Sequence, residues 1–454
     1  MRLATQTVRS IIFVCIIFVP LTTGLWHNVE AQSEQPPLPD IQRYRLETAD
    51  TVAIQQVTAD IPVTIDQIGP DYIDILATSS EHKALLAQGF DIQLSPRPLI
   101  FSEVDQMYHN YDEMVAQIQQ VAQTYPDIVQ LSSIGDSYEG RPLWMAKISD
   151  NVATDEDEPE ALFIGQYHAR EILTVEMLLY LLDVFTSEYD PSTPDNEITQ
   201  LVNTREIYLL FSANPDGGIY DTESGMYQYW RKNRQPNDGF GCIGTDPNRN
   251  HSYRWGGTGA SVSPCDNTYR GSEPASTPEI TAVQNFVNSR NINGRQQIEV
   301  AISFHTYGEL ILWPYGYQTG TTCGTPAPDM PTDDLAVLQT MGEAMAATNG
   351  YTSQQSCKLY ATSGDFVDWA YGAHRIFAYT FEMHPCFNAG CPGYGFYPPG
   401  SVIAAETSRN REAVLYLLQQ AACPYAAIDK PAQCEAEEER LWLPIVQKVQ
   451  SEEE

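Results

Sequence analysis

Residues 161–177 read ALFIGQYHAREILTVEM, and the fold turns on how this stretch is taken. The four apolar residues 161–164 form a short run without alternation, which reads as a strand buried on both faces. His168, Arg170 and Glu171 follow within seven residues of its end, and from 172 to 188 the apolar residues take helical spacing. Charged groups at the end of an inner strand are costly to bury, so either a core satisfies them or something binds there.

Working outward, residues 111–125 and 278–289 also have helical spacing, and 129–134, 143–148, 206–212 and 298–304 read as strands. This alternation predicts an α/β fold: one large domain with a mixed, largely parallel central sheet covered by helices on both faces. Ligands in such folds sit at the carboxyl ends of the strands, where His168 falls. Upstream, residues 41–94 alternate short β-type runs (63–65, 72–76) with a helical stretch at 81–88, a small α/β unit followed by Pro96-Arg97-Pro98 as a linker. After about 420 the pattern fades, leaving 423–454 as a tail or small appendage with an apolar patch at 441–446.

Acidic residues number 59 against 25 basic ones in 454, a formal charge of -34 that disfavours nucleic acid and anionic membrane surfaces as partners. Arg2 and Arg9 precede an apolar segment at 11–25 and then Val29-Glu30-Ala31, the layout of a secretory signal peptide removed near Ala31. The segment is short for a membrane span, an uncleaved anchor being the alternative. Removal takes Cys15 away and leaves eight cysteines, an even number for an oxidising compartment. Sequence neighbours suggest the pairs Cys242 with Cys265, Cys323 with Cys357, Cys386 with Cys391 and Cys423 with Cys434.

His168 and Glu171, three apart at a strand-to-helix turn, can aim at one spot, and imidazole with carboxylate is a zinc pairing that needs a third protein ligand. His305 supplies it, directly after the apolar run 301–304. A metal-assisted hydrolase also needs a base and a cation to polarise the scissile carbonyl. Glu382 closes the apolar run 376–381, Arg231 stands in YWRKNR, and Asn248 and Arg249 follow Asp246 in TDPNRN.

The ordered set HxRE, WRKxR, DxNRN, FHxYxxLxLxPYGY, YxxSGxxxDW and TFE resembles the zinc metallocarboxypeptidases of the carboxypeptidase A/B family, and within it the secreted bacterial carboxypeptidase T type. The resemblance spans about 105–420. It implies one zinc on His168, Glu171 and His305, Glu382 as general base, and Arg231 on the carbonyl oxygen. It also implies Asn248, Arg249 and Tyr360 on the substrate's terminal carboxylate, Arg170 at an outer subsite, Tyr307 among the substrate-binding residues, and Asp246 behind His168. Arginine's planar fork suits a carboxylate, so the site is expected to select free C-termini.

In the family the position of Val367 is apolar where hydrophobic C-terminal residues are released, and Asp365 resembles an acid that reaches into the pocket. Hydrophobic or aromatic release with some acceptance of basic residues is expected, with a turn-capping role as the other reading of Asp365. The acidic run at 150–160 suggests calcium, with Asp155, Glu156, Glu158 and Glu160 as ligands, since carboxypeptidase T-like sequences resemble it. Residues 32–102 look like an activation segment cleaved around 95–103, or else a permanent packing domain, ahead of a catalytic domain at 103–422. The expectation is a secreted monomer acting on peptides, without stable membrane association. A non-catalytic peptide or carbohydrate binder, or an amide deacylase, on the same fold is the competing reading. Retention of Glu382 and of the Asn248, Arg249 and Tyr360 set argues against both.

Overall fold

The computed structural model describes residues 41–46, 63–68, 73–94, 107–223, 227–237, 239, 241–386 and 395–434. The first elements are β1 (Ile41–Leu46), β2 (Thr64–Ile68), β3 (Ile73–Thr78), α1 (Ser79–Ala87) and β4 (Ile92–Leu94). The strands pair antiparallel in the order β2-β3-β1-β4. Thr78 ends β3 and caps α1: its hydroxyl accepts from Glu81 N at 3.3 Å, and the Glu81 carboxylate accepts from Thr78 N at 2.7 Å. Tyr44, Leu46, Ile73, Ile75, Leu85 and Ile92 pack together as the core of this sheet and helix. β1 has no counterpart among the runs picked out above. The signal segment, the linker at 96–98, the cleavage region at 95–103 and the patch at 441–446 lie outside the described residues.

The larger sheet is built from β5 (Val129–Asp136), β6 (Pro142–Ile148), β7 (Glu160–Ile164), β8 (Glu206–Leu210), β9 (Ile298–Gly308), β10 (Leu310–Trp313), β11 (Thr352–Gln355) and β12 (Phe377–Cys386). Its order is β11-β10-β12-β9-β7-β8-β6-β5. The four central strands, β12, β9, β7 and β8, run parallel, and antiparallel pairings attach the flanking strands to them. The helices are α2 (Tyr111–Thr124), α3 (Leu173–Ser187), α4 (Glu197–Val202), α5 (Pro215–Thr222), α6 (Pro278–Ser289), α7 (Thr332–Asn349), α8 (Phe366–His374), α9 (Ile403–Ser408) and α10 (Arg411–Gln420).

Successive side chains on a strand point to opposite faces, and both faces of the central strands are buried. Phe163, Leu209, Ile302 and Phe381 meet Leu178 of α3, Met341 of α7 and Leu417 of α10. Leu162, Leu210, Ala301 and Ala378 meet Val283 of α6 and Phe366 of α8. Each fully buried Leu, Ile or Phe contributes about 1.5–3 kcal/mol, which is why the central strands carry no polar alternation. Charge enters at their amino ends, where the buried Glu160 and Glu206 are met by Arg290 Nε at 2.9 Å and Lys147 Nζ at 2.7 Å.

β9 runs beyond the apolar stretch 298–304, so His305 lies inside the strand and not after it. The parallel ladder with β12 continues there and sets His305 opposite Glu382. Three expected disulfides are formed, Cys242–Cys265, Cys323–Cys357 and Cys423–Cys434. The fourth lies outside the described residues because Cys391 does. The start of the expected tail is tied to α7: Tyr425 Oη donates to Asp334 at 2.8 Å and Lys430 Nζ reaches Asp333 at 2.6 Å. Among the described residues no helix is long and apolar enough to cross a membrane.

Candidate metal centre and substrate cleft

At the carboxyl end of β7 the chain turns at Gly165, where a Cβ would come within 2.8 Å of the Phe211 carbonyl oxygen, so only glycine fits. Thr174 fixes the loop that follows, accepting from Gln166 N at 2.9 Å and donating to Glu171 O at 2.6 Å. His168 and Glu171 thereby face each other, with Nδ1 to Oε1 at 2.7 Å. From β9, His305 Nδ1 lies 2.8 Å from Glu171 Oε2 and 3.1 Å from His168 Nδ1. All three side chains are buried, at 3%, 2% and 1% exposure.

Behind His168, Asp246 Oδ1 lies 3.2 Å from Nε2 and accepts from Asn248 N at 2.9 Å. Its Oδ2 accepts from Arg231 Nε at 2.9 Å. Burial alone would raise the Asp246 carboxyl, but Arg231 and His168 outweigh it and hold it well below the usual carboxylate range. Burial, with Arg231 adding to it, lowers His168. A neutral His168 with its proton toward Asp246 turns the Nδ1 lone pair on the Glu171 carboxylate, acceptor against acceptor. A cation between them resolves that repulsion, so this donor set fits zinc.

Glu382, across the ladder from His305, is pushed up to about 7 by burial; His305 opposes this and the Glu171 charge adds to it. Asn248 is oriented by Phe366 N, which donates to its Oδ1 at 2.9 Å, and its Nδ2 stands 3.3 Å from His305 Nε2. Arg249 donates to Gly259 O at 2.8 Å and Asn248 O at 2.7 Å, with the Tyr360 ring 6.0 Å from its Cζ. Arg170 and Tyr307 meet on Phe396, the guanidinium 3.9 Å over the ring and Tyr307 edge-on at 5.0 Å. Phe396 escaped the sequence reading, since no motif around it marks an aromatic floor.

Val367 is 2% exposed and packs with Phe366 and Trp369. Asp365 caps α8: Oδ1 accepts from Asp368 N at 2.9 Å and Oδ2 from Thr362 Oγ1 at 2.5 Å. That is the turn-capping role left open above, and it engages both carboxylate oxygens. The acidic loop divides. Asp155 and Glu160 both pair with Arg290, while Glu156 and Glu158 gather with Asp150. The four expected calcium ligands therefore do not converge: Asp150, in the acidic run but not among the ligands picked from it, takes a place beside Glu156 and Glu158, and Arg290 takes Asp155 and Glu160.

A mixed, largely parallel sheet with a His2Glu donor set and a carboxylate beside it at the strand ends has the make-up of a metal-dependent hydrolase. The zinc carboxypeptidase family profile matches residues 114–413. The chain is 45% identical over 316 residues to a zinc carboxypeptidase of Saccharothrix mutabilis subsp. capreolus, covering 70% of each. It is 33% identical over 315 residues to carboxypeptidase B of Astacus astacus, covering 68% of this chain and 94% of that one. The carboxypeptidase A structure from Helicoverpa armigera superposes with a TM-score of 0.69 at 23% identity, over 85% of this chain and 98% of that one. The chain belongs to the zinc carboxypeptidase family, hydrolases that remove C-terminal residues.

Metal analysis of the purified protein is expected to find stoichiometric zinc, falling toward none in Glu171→Ala and in His305→Ala. Full zinc in both variants would move the metal elsewhere.

Proposed function

We propose that His168, Glu171 and His305 hold the zinc, that Glu382 is the general base, and that Arg231, Asn248, Arg249 and Tyr360 bind the reacting end of a peptide. The observation that carries this is the meeting of two imidazole Nδ1 atoms and both Glu171 oxygens, with neighbours 2.7 to 3.1 Å apart. Zinc, when bound, supplies Lewis acidity for carbonyl hydrolysis. Glu382, raised to about 7, can take a proton from water near neutral pH and return it to the leaving amine. Arg231, fixed by Asp246, offers its remaining N–H groups to the carbonyl oxygen as negative charge grows there. Asn248 and Arg249 suit a terminal carboxylate, and a blocked C-terminus would leave those donors buried and unpaired. Arg170 and Tyr307, sharing Phe396, suit residues further from the cut.

Residues 1–31 are proposed as signal peptide and 32–102 as activation segment of a secreted zymogen, on the sequence layout and on disulfides suited to an oxidising compartment. Mass spectrometry of the secreted protein, incubated with a free-acid peptide and its amidated twin, is expected to give an N-terminus near 95–103 and trimming of the free acid alone. Glu382→Gln should lose about 100-fold to 10,000-fold in kcat with zinc retained. Turnover equal to wild type would remove the base assignment.

The buried Val367 supports release of hydrophobic and aromatic C-terminal residues, with basic ones slower because Asp365 is engaged in its cap. Matched peptides ending in Phe, Leu, Arg and Glu should rank in kcat/KM with Phe and Leu first and Glu last, and a preference for Glu would sink this pocket assignment.

Calcium is proposed at Asp150, Glu156 and Glu158. Glu156 Oε2 and Glu158 Oε2 are buried without hydrogen-bond partners, and burial, with the charges of Glu156 and Asp150 adding to it, pushes Glu158 up to about 7. A calcium chelator that spares zinc should lower Tm in wild type and leave Glu158→Gln unmoved. An unmoved wild type would speak against a bound cation.

A further inference from the structure

Arg231 is gripped through its backbone as well as its head group, and α5 with its capping residue holds the chain on either side of it. Asn214, the residue that caps this helix, is fully buried. Its Oδ1 accepts from Gly217 N at 3.1 Å, the ordinary capping bond. Its Nδ2 does something a cap does not require. It donates to Tyr167 O at 3.1 Å and Lys232 O at 3.1 Å, with Arg231 O at 3.5 Å. Those carbonyls belong to two separate segments, one directly before His168 and one carrying Arg231. Ala169 N closes the same junction by donating to Arg231 O at 3.2 Å.

At the other end of α5, the buried Asp221 accepts from Trp230 N at 2.7 Å. The helix thus holds the chain on both sides of Arg231. Between the two grips, a Cβ at Gly217 would come within 2.6 Å of Lys232 O, so the segment lies against helix backbone with no room for a side chain. The Arg231 guanidinium is tied separately, to Asp246. Where it stands relative to His168 is therefore set by two anchors, one on the head and one on the main chain.

We propose that Asn214 is a positioning residue for Arg231, locking the arginine's main chain to the His168 turn so that the guanidinium meets the carbonyl oxygen only as charge develops there. This rests on the role of Arg231 proposed above. A misplacement of about 1 Å at a site of this kind can cost about 100-fold in rate.

Asn214→Asp keeps an acceptor for Gly217 N and removes the amide donors. It is expected to lower kcat about 10-fold to 100-fold, with KM within about twofold and zinc content unchanged. In an Arg231→Ala background the same substitution should cost little, because the group it positions is gone. Wild-type kcat in Asn214→Asp, or losses that multiply in the double variant, would overturn the proposal. Should Arg231→Ala alone keep full activity, the role assigned to Arg231 fails instead. If Asn214→Asp does not fold, Gly217→Ala displaces the Lys232 carbonyl with the amide intact. It should show the same fall in kcat and the same dependence on Arg231, and a lowered Tm with unchanged kcat would reduce α5 to a structural prop.

Discussion

A carboxylate shared between two buried imidazoles is the constraint on which this molecule is organised. Glu171 is almost fully removed from water, and a lone anion in such a place is strongly disfavoured. One histidine from the turn after β7 and one from within β9 face it at 2.7 and 2.8 Å, a meeting set where β7 ends and β9 continues beside it. The parallel centre of the sheet supplies the geometry, because strands running the same way deliver their carboxyl ends to the same edge. β7 leads to His168 and Glu171, β8 leads to Asn214, and β9 and β12 set His305 opposite Glu382.

Around that centre the polar groups form a chain of dependencies. Asp246 touches His168, Arg231 and the main chain of Asn248, so one carboxylate links a ring, a guanidinium and an amide. Asn248 stands between His305 and α8, and Arg249 donates to the carbonyl of Asn248. The Arg231 charge and the contact with His168 hold Asp246 ionised against its burial, and breaking one side of such a network strands the other.

Much of this was legible in the sequence because a fully buried strand writes itself as an unbroken apolar run. The runs at 161–164 and 298–304 located β7 and β9, and the chemistry-bearing residues follow such runs directly. The end of β9 was not legible: His305 and Thr306 look like loop residues, and only pairing with β12 keeps them in the strand. The acidic loop misled for a related reason. Spacing along the chain groups Asp155 with Glu156, whereas the fold gives Asp155 to Arg290, 135 residues away. Asn214, not singled out in the sequence, caps α5 ahead of Pro215, and the acceptors of its amide come from segments that no local pattern connects to it.

The cross-link between Cys242 and Cys265 encloses Asp246, Asn248 and Arg249 in a stretch whose helical content is one three-residue 3₁₀ turn. Closing a loop of this size removes about 3 kcal/mol of freedom from the unfolded chain. That restraint falls where the sheet offers little of its own, on the ribbon proposed to receive the end of a polypeptide. The bridge thus restrains the unfolded chain most where hydrogen-bonded strands would restrain it least, on the segment that carries Asp246, Asn248 and Arg249.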